Sequence, residues 1–187
     1  MVRHGESTAN AEHRHAGWAQ VALTEKGKSD ALCAKKLLSG IKFDKVFVSD
    51  LLRAKQTLSI ALPEAESIET PLLREIGVGN LARLKISEAA EKYGNDYIEN
   101  RARHNFLPYG GENSEMHASR IRAFKEMLEQ NEVPTVAAFC HEGSIRHMLR
   151  LVIGKAPTES LLRNGSVSIF EYRDGKWTCL AWDQISE

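Results

Sequence analysis

Apolar positions along this chain alternate between two periods. In residues 24–41, Ala31, Ala34, Leu38 and Ile41 recur at helical spacing, with Thr24 placed to cap the helix and Gly40 to end it. Residues 44–50 carry Val46-Phe47-Val48, a β-branched and aromatic run that predicts a buried strand. Residues 51–62 return to helical spacing and stop before Pro63. A short strand is expected within residues 66–75. Residues 86–102 predict a helix interrupted at Gly94, and residues 110–130 a longer one capped by Asn113 or Ser114. Residues 134–140 form the second buried run, followed at once by a helix over 144–154. Two β-rich runs then flank Asp174-Gly175, a two-residue hairpin turn. No repeat, low-complexity segment or linker divides the chain, so residues 1–187 are read as a single domain. Strands alternating with helices predict an α/β fold, a three-layer α/β/α sandwich whose mostly parallel central sheet has helices on both faces.

Composition narrows the function more than the fold. Lys+Arg and Asp+Glu both total 25, which argues against a general nucleic-acid or membrane-surface binder. The apolar runs are too short to span a bilayer, and no apolar leader stands at the N-terminus. Cys33, Cys140 and Cys179 are odd in number and lack metal-site spacing, so a cytoplasmic setting is expected.

The chemistry gathers where strands should end. Arg53 follows the first buried strand and His141 the second, while Arg74-Glu75 follow the short strand. Arg3-His4-Gly5 stands before the Ser7–Asn10 region. In α/β sheets ligands sit beyond the carboxyl ends of the strands, so these residues should share one edge. Two histidines, arginines and a carboxylate suit phosphoryl transfer. A neutral imidazole attacks phosphorus, guanidinium groups match phosphate oxygens, and a carboxylic acid protonates the leaving oxygen.

The same residues carry a family resemblance. "RHGESTAN", "HAGWAQVALTEKGKSDAL", "SDLLRAKQT", "LLREIGVG", "GGEN" and "CHEGSIR" resemble, in order, the motifs of the histidine phosphatase superfamily, the phosphoglycerate-mutase-like fold. The resemblance covers nearly the whole chain. It implies His4 as the phosphohistidine nucleophile and Glu75 as general acid and then base. Arg3, Arg53 and His141 would hold the phosphoryl group, with help from Asn10 and Ser7. It implies a small phosphorylated substrate, no metal and no cofactor. Three positions depart from the family pattern: Met1-Val2 alone precede Arg-His-Gly, Ala82-Arg83 replace a common Glu-Gly, and Glu142 replaces a glycine. Glu142 would oppose a bound phosphate unless it faces solvent or pairs with Arg146.

Plainer readings compete at each position. An Arg-His-Gly triplet alone is usually a turn, Arg53 alone a solvated helix residue, and Glu75 alone a surface carboxylate. Asn10 can shape a turn, and Cys140 reads as a small buried hydrophobe. His104, His117 and His147 receive no role, and Trp18 and Tyr109 suit packing as well as a substrate mouth. For function, a metal-independent phosphatase ranks first, because the stretch from Glu75 to His141 is short. A cofactor-dependent phosphoglycerate mutase ranks second and a catalytically silent phosphate binder third. A metallohydrolase built on His13 and His15 ranks last. The C-terminal hairpin offers an edge for a homodimer. Met1-Val2 leave little of a strand ahead of His4. Either most of that strand is missing from the sequence as written, or a stub pairs through Met1–Arg3 with Val2 and His4 buried.

Overall fold

The computed structural model describes residues 1–130, 134–154 and 162–186. In chain order the elements are β1 (Val2–Arg3), α1 (Thr8–Ala11), α2 (Glu25–Leu38), β2 (Lys45–Ser49), α3 (Leu52–Ala61) and β3 (Ile68–Thr70). They continue with α4 (Ile86–Ala102), α5 (Ser114–Gln130), β4 (Val136–Cys140), α6 (Glu142–Ile153), β5 (Val167–Arg173) and β6 (Lys176–Gln184). The six strands form one sheet in the order β3-β2-β4-β1-β5-β6. The first four are mutually parallel, and β5 and β6 run antiparallel at one side.

Alternation along the buried strands divides the core in two. Val46 and Val48 of β2, with Ala137 and Phe139 of β4, pack on Ala34 and Leu38 of α2 and on Ala54, Leu58 and Ala61 of α3. The intervening Phe47, Ala138 and Cys140 face the other way, onto Phe124 of α5 and Ile145 of α6. Both faces of β2 and β4 are thereby covered, which is why they read as unbroken apolar runs. Burying one such side chain stabilises by about 1.5–3 kcal/mol. A third cluster, with Ile76, Val78, Leu81, Tyr97, Phe106 and Tyr109, forms a lobe around α4 beside the sheet.

Local signals set most boundaries. The Thr24 hydroxyl accepts from the Gly27 N–H, and Asn113 Oδ1 accepts from the Met116 N–H, so both helices start at side-chain caps. Gly94 leaves the helical region at φ 60°, ψ −145° and breaks α4. Asp174 and Gly175 both take positive φ, as a tight hairpin turn requires. The structure also departs from the expected pattern. Ile41 lies beyond the end of α2 and is exposed, and the 142–153 helix begins two residues earlier than its apolar spacing suggested. A four-residue helix, α1, forms where only a turn was expected, closed by a capping box between Ser7 and Asn10.

β1 is a stub that is tied throughout. Val2 is 1% exposed and is paired with Phe139 of β4 and Val167 of β5. The Arg3 N–H donates to the Ser166 carbonyl and the His4 N–H to the Cys140 carbonyl, both at 3.0 Å. Two strands thus hold on either side what two residues could not hold alone. Past His4 the backbone meets α2 closely: a Cβ on Gly5 would stand 2.1 Å from the Gly27 carbonyl oxygen. Glycine at both positions is what lets the His4 loop lie on the first turn of α2.

Candidate active site

The carboxyl end of β1 delivers His4, that of β2 delivers Ser49, and that of β4 delivers His141; α3 carries Arg53 in its first turn. A cavity of about 410 Å³ opens above them, lined by Arg3, His4, Asn10, Arg53 and Glu75 among others. Of the residues expected at the site, these five share the cavity. His141 is fully buried and packs against His4, with ring centroids 5.1 Å apart. Ser7 does not line the cavity: its buried hydroxyl donates to Asn10 Oδ1 at 2.8 Å within the α1 cap. Its contribution is to orient Asn10.

His4 is held by its own loop. Its Nδ1 lies 2.7 Å from the Gly5 carbonyl oxygen, which can only accept, so the ring proton sits on Nδ1. Nε2 is left with a lone pair, and Arg53 Nε–H donates to it at 3.2 Å. Burial, with Arg53 and then Arg3 nearby, holds the imidazole well below its ordinary value of 6.5. His4 is therefore a neutral base at physiological pH with its nucleophilic nitrogen facing a cation.

Arg53 is 1% exposed and fixed from the opposite side, donating to the carbonyls of Gly17 (3.0 Å) and Ala19 (3.3 Å). Burial lowers it to about 10, so it stays charged. Arg3 donates to the Leu162 carbonyl and pairs with Glu142 at 3.3 Å, yet its buried Nε has no hydrogen-bond partner. His141 Nε2 bonds the Ser49 hydroxyl at 2.9 Å, and its buried Nδ1 likewise has no partner. Such orphans are rare in a folded interior. Glu142, the acidic departure, is neutralised by Arg146 (3.0 Å) and Arg3 together.

Glu75 approaches from the lobe. Its Oε1 accepts from the Ile76 N–H at 2.8 Å and its Oε2 from the Gly143 N–H at 3.1 Å, in the first turn of α6. A Cβ on residue 143 would stand 2.3 Å from Glu75 Oε1, so glycine there is a condition of this approach. The segment carrying Glu75 is pinned by Arg120, which donates to the carbonyls of Pro71, Leu72, Arg74 and Glu75. The same guanidinium forms a two-pronged pair with Glu112, whose Oε2 also accepts from the Gly77 N–H. Trp18 Nε1–H donates to the Glu75 carbonyl at 2.8 Å, and Arg74 lies over the Trp18 ring while bonding Asp50.

Ser49, Glu112, Arg120 and Gly143 stand outside the expected site. Cys140 is buried with its thiol pushed up to about 12 by desolvation, which leaves it inert. His13 and His15 do not converge: His15 is buried on the Tyr97 hydroxyl at 2.6 Å, and His13 is exposed with φ 52°. Among the described residues no three His, Cys, Asp or Glu side chains form a metal-binding group, and no helix is long and apolar enough to cross a membrane.

Comparison with known proteins identifies the family and the fold. A family model described as the histidine phosphatase superfamily (branch 1) matches residues 1–185. A metal-independent phosphoserine phosphatase of Arabidopsis thaliana is 34% identical over 193 positions, covering 100% of this chain and 81% of that protein. A 2,3-bisphosphoglycerate-dependent phosphoglycerate mutase of Gloeobacter violaceus is 36% identical over 158 positions, covering 80% of this chain and 72% of that protein. Among solved structures, a mycobacterial glucosyl-3-phosphoglycerate phosphatase superposes with a TM-score of 0.86 at 22% identity, covering 98% of this chain and 96% of that one. That last likeness shows the shared fold.

Proposed function

The chain belongs to the histidine phosphatase superfamily, and from that premise we propose that it is a metal-independent phosphatase of a small phosphorylated metabolite, with His4 as nucleophile and Glu75 as acid and base. The observation that carries this reading is the pair of orphaned buried nitrogens, Arg3 Nε and His141 Nδ1, beside a neutral imidazole whose Nε2 already accepts from Arg53.

A phosphomonoester enters with its oxygens toward Arg3, Arg53 and His141, and Arg53 exchanges its bond to Nε2 for a phosphoryl oxygen. The Nε2 lone pair attacks phosphorus, the bond to the leaving oxygen breaks, and Glu75 gives that oxygen its proton. Water then attacks the phosphohistidine, Glu75 takes the water proton, and the P–N electron pair returns to Nε2. The cycle ends with His4 neutral and Glu75 reprotonated. Fixed guanidinium and imidazole groups carry the charge stabilisation, so no step needs a metal.

The outer cavity supports a charged leaving group. Arg101, in the last turn of α4, lines the cavity, is exposed, and has no carboxylate within ion-pair distance among the described residues. Arg14, which also lines it, is already taken up by Glu12 and the Arg83 carbonyl.

The test is p-nitrophenyl phosphate hydrolysis in EDTA, for the chain and for His4→Ala. Turnover in the first, lost by a factor of about 10⁴ in the second, is expected. The mutase reading predicts instead that phosphoglycerate isomerisation outruns hydrolysis once a bisphosphate primer is added. A chain that binds phosphate but turns over nothing would favour the silent reading.

A further inference from the structure

His117 occupies the fourth position of α5, is 1% exposed, and has no part in the reaction just described. Its two ring nitrogens face different partners. Nε2 lies 3.2 Å from the Ser144 hydroxyl, and Nδ1 lies 3.8 Å from Glu75 Oε1. The Ser144 hydroxyl is fully buried and stands 3.1 Å from the Leu73 carbonyl oxygen and 3.2 Å from that of Arg74. Those oxygens only accept, so the Ser144 proton goes to them, and the hydroxyl can only receive from His117. The ring proton is thereby placed on Nε2. Nδ1 is left with a lone pair, aimed at the carboxyl group that does the acid–base work.

A lone pair opposite a carboxylate is repulsive, whereas opposite a carboxylic acid it accepts a hydrogen bond. We propose that His117 is a positioning residue for Glu75: its Nδ1 accepts from the protonated carboxyl, holding the acid loaded and oriented before the leaving oxygen arrives. The inference rests on the phosphatase reading. The Ile76 and Gly143 N–H groups fix the two carboxyl oxygens, and the imidazole faces Oε1 from another side. After Glu75 has protonated the leaving group, the same repulsion favours recapture of a proton from the attacking water. The separation of 3.8 Å is long for a hydrogen bond and shortens as the acid form is drawn in.

The surroundings keep His117 neutral. Arg120 from α5, His147 from α6 and His104 from the loop after α4 all face it, and Glu112 is the opposing charge beside Glu75. Burial first, and Arg120 next, lower the ring to about 3. The missing Cβ of Gly143 also makes room here, because it would stand 2.8 Å from His117 Cε1.

Two measurements test this. In ¹⁵N-labelled protein the His117 ring should show a protonated Nε2 and an unprotonated Nδ1 between pH 6 and 8. A proton found on Nδ1 overturns the proposal, whether or not the chain hydrolyses phosphate esters. Kinetically, His117→Leu should move the alkaline limb of the kcat profile down by about one pH unit, a tenfold loss above the limb, with KM little changed. His117→Asn, which restores an acceptor oxygen near the Nδ1 position, should recover most of that loss. A uniform loss in His117→Leu at every pH, not recovered by Asn, would leave His117 a packing residue and overturn the proposal.

Discussion

The floor and the roof of this site are built by different means. The floor hangs from the sheet: His4, Ser49 and His141 each end a parallel strand, and backbone bonds to neighbouring strands set their positions. The roof carries Glu75 on an irregular segment that lacks such support. It is held by side chains reaching to backbone carbonyls, chiefly Arg120 and Trp18, and by Glu112 closing on the Gly77 N–H. A floor of this kind tolerates changes of side chain, because the sheet stands without them. A roof of this kind is lost when one polar hub is lost.

That contrast can be broken most sharply at Arg53. Arg53→Met should lower kcat/KM by about 10³ while the urea midpoint moves little, since an apolar side chain of similar size replaces a buried charge. Arg120→Ala should lower stability and activity together. Removing one half of the Arg120–Glu112 pair strands the other, and a stability loss of about 3 kcal/mol is expected in chemical denaturation, with kcat falling as the 71–77 segment loosens. A collapse of both parameters in Arg53→Met would erase the distinction.

Acid sharpens the comparison further. Burial lowers His15 and His147 to about 4 and His117 to about 3, against 6.5 in the unfolded chain. The unfolded state therefore takes up protons first. The stability these groups contribute is complete above pH 6.5 and is lost as pH falls toward their folded values. The urea midpoint should drop steadily from pH 6.5 to 4. The unfolding free energy should fall less steeply in His117→Leu, by about 1.4 kcal/mol per pH unit. The smallest effect belongs to the outer cavity. Arg101→Ala should raise KM for a phosphomonoester with a carboxylate on its leaving group by about fivefold and leave p-nitrophenyl phosphate unchanged, because one exposed charge contributes at most about 1 kcal/mol.

The floor was also the more legible half. Strand runs and the residues directly after them are local signals, so His4, Arg53 and His141 could be placed at one edge from order along the chain alone. Glu75 was reached mainly through its motif, and its supports were not read at all. Arg120 meets carbonyls, and the Glu112 carboxylate an N–H, more than thirty residues away, and no local period announces such a contact. His117 did leave a trace: it shares a helical stripe with Ile121 and Phe124, which places it inside, although spacing cannot say that Glu75 waits there. Ser7 shows the opposite error. A hydroxyl three residues from the proposed nucleophile suggests ligand contact, and the capping box took it first.

The stub strand has a consequence in time. Val2 pairs with Phe139 and with Val167, so the strand that sets His4 is synthesised well over a hundred residues before the neighbours it pairs with. At ordinary translation rates that interval is about 10–30 s, during which β2, α2 and α3 can already associate through nearer contacts. A nascent chain arrested short of β5 should therefore hold much of its helical and strand structure and show no turnover, which would appear only once the hairpin has emerged and closed over Val2.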